Sequence, residues 1–165
     1  MTVDKKSTYV VDSCCVISLL TNDHPERIPH LQRLFEDAER QNCTLILPTV
    51  ARLEILGTAP QQASSGYPPR RQKQFDRARE WLDSRPFLTS ELDDFTVSRS
   101  HDLIRDHSLG GIDAAIIATA LVHEASKVLT YDRPMLAAGP SISGLSVESP
   151  SGALWEDDLF SSVLN

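Results

Sequence analysis

Four short β-prone runs, the first three each followed by a stretch of helical periodicity, constrain this chain more than any other feature of it. The first, Thr8-Tyr9-Val10-Val11, stops at Asp12, after which Val16, Ile17, Leu19 and Leu20 recur at helical spacing. A second helix is predicted over 27–41, with Ile28, Leu31, Leu34, Phe35 and Ala38 on one face and Asn42 as its stop. Thr44-Leu45-Ile46-Leu47 reads as a strand buried on both faces. Thr49 is then the expected N-cap of a helix over 50–56 that Gly57 ends.

Residues 58–69 change to Ala, Gln, Ser, Gly and Pro and read as a mobile loop inside the domain. A charged helix over 70–84, a strand Pro86-Phe87-Leu88-Thr89 and a helix over 91–107 follow. Gly110-Gly111 breaks the pattern before Asp113 opens the most apolar helix, 114–123. Lys127-Val128-Leu129-Thr130 is the last of the four runs, ending just before Asp132. Leu145-Ser146-Val147 is a candidate fifth strand, and the tail over 150–165 carries no assigned element. Strands alternating with helices predict a three-layer α/β/α sandwich around a mostly parallel sheet. Right-handed crossovers then bring every strand's carboxyl end to one edge, where open α/β sheets bind ligands.

At 165 residues the chain suits a single domain over 1–165. No apolar run approaches a membrane span, and the polar opening over 1–8 is no secretory signal, so a cytoplasmic location is expected. Cys14, Cys15 and Cys43 lack the spacing of a zinc site and read as reduced, partly buried thiols. A net charge of −7 argues against a passive nucleic-acid binder but not against an enzyme that recruits cations.

Four acids stand out by placement. Asp12 and Asp132 follow strand ends, Asp113 opens an apolar helix, and Glu54 lies inside Val50-Ala51-Arg52-Leu53-Glu54-Ile55-Leu56. An acid on the apolar side of a helix is costly unless it is paired or binds a metal. Two carboxylates about 5 Å apart repel by roughly 3 kcal/mol at an effective dielectric near 20, so four need cations. Oxygen ligands without imidazole or thiolate select Mg²⁺ or Mn²⁺ over zinc, and such ions suit phosphodiester hydrolysis. Each acid also has a plain structural reading: Asp12 and Asp113 as helix N-caps, Asp132 as a turn residue before Pro134, Glu54 as the partner of a basic side chain.

Four segments in order carry a family resemblance: Tyr9-Val10-Val11-Asp12-Ser13, residues 48–55 from Pro48 through Glu54, residues 111–120 around Asp113, and Val128-Leu129-Thr130-Tyr131-Asp132. They resemble the PIN-domain family, and within it the VapC-type toxins of bacterial toxin–antitoxin pairs. The resemblance implies a Mg²⁺- or Mn²⁺-dependent ribonuclease with Asp12, Glu54, Asp113 and Asp132 as its metal site. It also implies Ser13 and Thr130 as hydroxyls that hold the carboxylates, RNA as substrate and a small antitoxin as partner.

The segment over 58–84 and the tail depart from the compact toxin pattern, which leaves a PIN-fold RNA-processing factor or a non-catalytic RNA- or protein-interaction module as the alternative. A phosphatase with a strand-end Asp nucleophile is disfavoured, since the position two residues on, where such enzymes place a second acid, is Cys14. Arg70, Arg71, Lys73, Arg77 and Arg79 form a basic stretch in an acidic chain and are expected to guide the RNA backbone. The apolar side chains of the first two helices form the expected docking groove for the antitoxin, or for a second copy in a homodimer.

Overall fold

The computed structural model describes residues 6–62 and 68–151, with side chains described outside 59–70. Strand β1 (Ser7–Val11) leads into α1 (Ser13–Thr21), and a 3-10 turn (Pro25–Arg27) into α2 (Ile28–Glu39). Then follow β2 (Cys43–Pro48), α3 (Thr49–Gln62), α4 (Pro68–Asp83), β3 (Phe87–Ser90), α5 (Asp94–His107) and α6 (Gly111–Val122). Strand β4 (Lys127–Leu129), α7 (Arg133–Ala138), a 3-10 turn (Gly139–Ser141) and β5 (Ser146–Glu148) complete the described chain.

The five strands form one sheet in the order β3-β2-β1-β4-β5, with every neighbouring pair parallel. Val10 pairs with Ile46 on one side and Val128 on the other, and all three are buried. From β1 the chain winds outward through β2 to β3, then returns past β1 to β4 and β5. Right-handed crossovers therefore set α1 to α4 on one face and α5 to α7 on the other, giving the expected α/β/α sandwich. Phe35 of α2, Trp81 of α4 and Phe87 of β3 interlock on the first face, with Phe35 edge-on to both partners at 5.2 and 5.8 Å. On the second face α6 lies between α5 and strands β1 and β4, and α3 also touches it. Residues 114–120 are all buried, which explains why this helix is apolar all round.

The winding direction reverses between β1 and β4. Brändén's rule places the ligand crevice of an open α/β sheet at such a switch point, on the carboxyl edge. The Asp12 backbone N–H donates to Leu129 O at 3.0 Å, extending the ladder one step beyond β1 and fixing Asp12 at that edge.

The structure corrects three boundaries. Helix α3 does not stop at Gly57 but runs to Gln62, and α4 begins at Pro68, so residues 58–62 and 68–69 of the expected loop are helical, while 63–67 lie outside the described residues. A mid-helix glycine costs about 1 kcal/mol, which the packing of α3 against α4 outweighs. Helix α5 begins at Asp94, not Glu91, because the Asp93 side chain takes the cap, accepting from Thr96 N at 2.8 Å. Helix α7 was not foreseen, although Asp132 followed by Pro134 is an N-cap followed by a first-turn proline. Tail residues 152–165 lie outside the described residues. Cys15 and Cys43 are buried and Cys14 is partly buried. No described helix is long and apolar enough to cross a membrane.

Candidate active site

Asp12 occupies the N-cap position of α1, yet its side chain makes no capping bond. It turns instead to the switch point, where it is only 4% exposed. The Thr130 hydroxyl donates to Asp12 Oδ2 at 2.6 Å, and Cys14 Sγ donates to the same oxygen at 3.0 Å. Thr130 is fully buried, and its Oγ1 also accepts from the Asp132 backbone N–H at 2.9 Å. One hydroxyl thus orients both strand-end acids, and it can do so because β1 and β4 are neighbours.

Ser13, the first residue of α1, lies between two acids. Its hydroxyl donates to Glu54 Oε2 at 2.9 Å and lies 3.3 Å from Asp12 Oδ1; having one proton, it favours the shorter contact. Glu54 sits in the second turn of α3, which packs against α1. Asp113 is in the first turn of α6, whose N-cap is Gly110, so the capping role considered for Asp113 does not hold. A Cβ at position 110 would lie 3.2 Å from Asp113 Oδ2, so any larger residue there would press on the carboxylate. Asp132 does cap: its Oδ1 accepts from Met135 N at 2.9 Å, leaving Oδ2 for other use.

The electrostatics register the proximity of all four. Burial raises the Asp113 carboxyl first, and the charges of Asp132, Asp12 and Glu54 raise it further, to about 6. Burial also raises Glu54; the Ser13 hydrogen bond opposes this and Asp12 adds to it. Among the described residues no lysine, arginine or histidine forms an ion pair with any of the four acids. The basic partner considered for Glu54 is therefore missing from the described residues; the neighbouring Arg52 pairs with Asp83 instead. Among the described residues, no three acid, histidine or cysteine side chains stand close enough to enclose one ion as placed. The donor set consists of hard carboxylate oxygens without imidazole, which fits a hard divalent cation such as Mg²⁺ or Mn²⁺.

The basic stretch lies elsewhere. Arg71, Lys73, Arg77 and Arg79 are exposed on α4, and the side chain of Arg70 lies outside the described residues. None of them is among the charges acting on Asp113 or Glu54. Two features of the site were missed in the sequence. Cys14 touches both Asp12 and Thr130 Oγ1 and accepts from Tyr131 N at 3.2 Å, for which position two after Asp12 was the only signal. The other is Gly110, signalled by the Gly-Gly pair before Asp113.

Fold and site together define a parallel α/β/α domain with an acidic cluster at its switch point. A family model for the PIN domain matches residues 9–139, and the chain belongs to the PIN-domain family, whose members are generally nucleases that use divalent metals. Among solved structures, the fold is similar to VapBC2 from Rickettsia felis bound to a DNA fragment from its promoter, with a TM-score of 0.61, 14% identity, and coverage of 86% of this chain and 98% of that one. A toxin–antitoxin complex from Klebsiella pneumoniae gives a TM-score of 0.62 at 19% identity, covering 87% of this chain and 98% of the other. FitAcB from Neisseria gonorrhoeae gives 0.53 at 18% identity, covering 86% and 97%. No curated protein sequence matches the chain.

Proposed function

We propose that this PIN domain is an endoribonuclease that hydrolyses RNA phosphodiester bonds with Mg²⁺ or Mn²⁺ held by Asp12, Glu54, Asp113 and Asp132. The observation that carries this reading is Asp113: its carboxyl is raised to about 6 beside three other acids, with no basic group among the described residues paired to any of them. Such a cluster is an electrostatic deficit that a cation relieves. A bound divalent ion supplies Lewis-acid activation of phosphate and water. The chain's own residues supply the positioning. Thr130 and Cys14 hold Asp12, Ser13 holds Glu54, and the α7 cap orients Asp132.

The biological role that fits is the toxin of a type II toxin–antitoxin pair, since the similar structures include VapBC2 and a toxin–antitoxin complex. Of the apolar side chains on α1 and α2, Val16, Leu31, Leu34 and Phe35 are buried, whereas Ile17, Leu19, Leu20 and Ile28 remain partly exposed. A groove of about 410 Å³ lined by Leu19, Gln32, Phe35, Glu36, Glu39, Trp81 and Arg85 lies on the same face and offers an antitoxin segment its seat. A second copy of the chain competes for that surface.

One observation favours the alternative of an RNA-processing or non-catalytic PIN module: the acids as placed do not close around one ion. Incubation of a mixed RNA pool with Mn²⁺, with and without EDTA, separates the readings. Metal-dependent cleavage that disappears in Asp12→Ala and Asp113→Ala supports the nuclease, and full activity in either variant at saturating metal removes these residues as ligands. Co-expression with the adjacent gene product, followed by co-purification and an RNase assay, tests the toxin role. A neighbour that neither binds nor inhibits sinks that role alone.

A further inference from the structure

Helices α3 and α4 pack against each other, and Arg52 in the first turn of α3 pairs with Asp83 at the end of α4. The C-terminal end of α4 is thereby tied two residues from Glu54. At 1.5 Å per residue, Arg77, Lys73 and Arg71 lie about 9, 15 and 18 Å back along α4 from that tie. All three are exposed, and among the described residues none has an acid within ion-pair reach. Of the acids on α4, Asp76 pairs with Arg79 and accepts from Gln72, Asp83 is held by Arg52, and the exposed Glu80 forms no ion pair with any of the three among the described residues. Lys73 and Arg77, four residues apart, share one face of the helix. In a chain of net charge −7, these exposed cations, Lys73 and Arg77 on one face of α4 and Arg71 further around the helix, call for a polyanion as their counterpart.

We propose that α4 is a phosphate-binding arm, on which Arg71, Lys73 and Arg77 hold the flank of an RNA strand several nucleotides from the scissile bond. The proposal rests on the nuclease reading for the identity of the polyanion. It adds that the strand leaves the acidic cluster past the Arg52–Asp83 tie, and that affinity depends on substrate length and salt. Arg79, committed to Asp76, is no part of the arm.

The test measures binding of a fluorescein-labelled single-stranded RNA of about 20 nucleotides by anisotropy, in EDTA, across about 50 to 200 mM KCl. The full chain is compared with the triple variant Arg71→Gln, Lys73→Gln, Arg77→Gln. A control triple, Arg40→Gln, Arg99→Gln, Arg105→Gln, changes the net charge equally. Each phosphate contact to a single strand adds about 0.7 to the slope of log affinity against log salt, so the arm variant should lose roughly 2 from that slope. It should also bind at least tenfold more weakly at low salt, while the control stays near the wild-type slope. An unchanged slope, or an equal loss in the control, overturns the arm. Loss of a co-expressed protein partner with the RNA slope intact overturns it in favour of a protein-binding surface. Cleavage with Mn²⁺ is read separately: a falling slope without cleavage keeps the arm and ends the nuclease reading, and cleavage with an unchanged slope does the reverse.

Discussion

Thr130 and Asp12, separated by 118 residues, share a 2.6 Å hydrogen bond from a fully buried hydroxyl to a nearly buried carboxylate. The same hydroxyl oxygen accepts from the Asp132 backbone N–H at 2.9 Å. The orientation of the two strand-end acids therefore depends on one side chain that never needs to meet substrate.

Thr130→Val keeps the shape and removes the hydroxyl. Asp12 Oδ2 then retains only the weak thiol donor, and the Asp132 N–H loses its acceptor, at a cost of about 1–3 kcal/mol. Loss of such an orienting group typically lowers metal affinity or activity by about 10- to 100-fold. Thr130→Ser should restore most of both. Cleavage titrated against Mn²⁺ decides the matter, and a Val variant as active as wild type would make the hydroxyl a packing feature.

At Asp132, charge and cap can be separated. Asn is as good an N-cap as Asp, whereas Ala forfeits the bond to Met135 N and about 1 kcal/mol of stability. In EDTA, Asp132→Asn should melt at or above the wild-type temperature, because it keeps the cap and removes a charge that acts on Asp113. Asp132→Ala should melt below Asp132→Asn, and both should lose cleavage. If Asn destabilises as much as Ala, the carboxylate charge matters to the cap more than its geometry does.

The metal-free protein should lose stability as pH rises from about 4 to beyond 6. Asp113 has a folded pKa of about 6 against an ordinary 3.8, so between these values the folded state binds the proton more tightly. Stability from this group is fully present below 3.8 and is lost as pH climbs through 6. Screening at a partly exposed site reduces the effect to about 1 kcal/mol, or roughly 2–4 °C in melting temperature. Asp113→Asn should flatten this slope, and saturating Mg²⁺ should reverse it, adding about 2.7 kcal/mol at a hundredfold excess over its Kd. Melting curves at pH 4, 5, 6 and 7, with EDTA or Mg²⁺, provide the check.

Gly110→Ala should impair function while sparing the fold. Gly110 has φ −63°, which any residue adopts, so the backbone is not strained. The new methyl group would lie 3.2 Å from Asp113 Oδ2 and push the carboxylate by a few tenths of an ångström. The unfolded chain becomes stiffer, worth about 0.4–1 kcal/mol in favour of folding. Cleavage should fall several-fold with the melting temperature unchanged or slightly higher. Full activity would show that Asp113 tolerates displacement.

The strands, the parallel alternation and the strand-end placement of Asp12 and Asp132 were legible along the chain. They follow from local periodicity, from β-branched runs such as Val10-Val11 and from turn chemistry, all of which act within a few residues. Local patterns also suggested the wrong end for α3, because the mid-helix cost of Gly57 is small beside the packing of α3 on α4, which no short window contains. The bridge from Ser13 to Glu54 and the bond from Thr130 to Asp12 were likewise out of reach. Each depends on which strands and helices become neighbours. Strand order is a global choice, made when the crossover returns past β1 and sets β4 beside it. Only that pairing brings the Thr130 hydroxyl to Asp12 and turns acids scattered along the chain into a single electrostatic cluster.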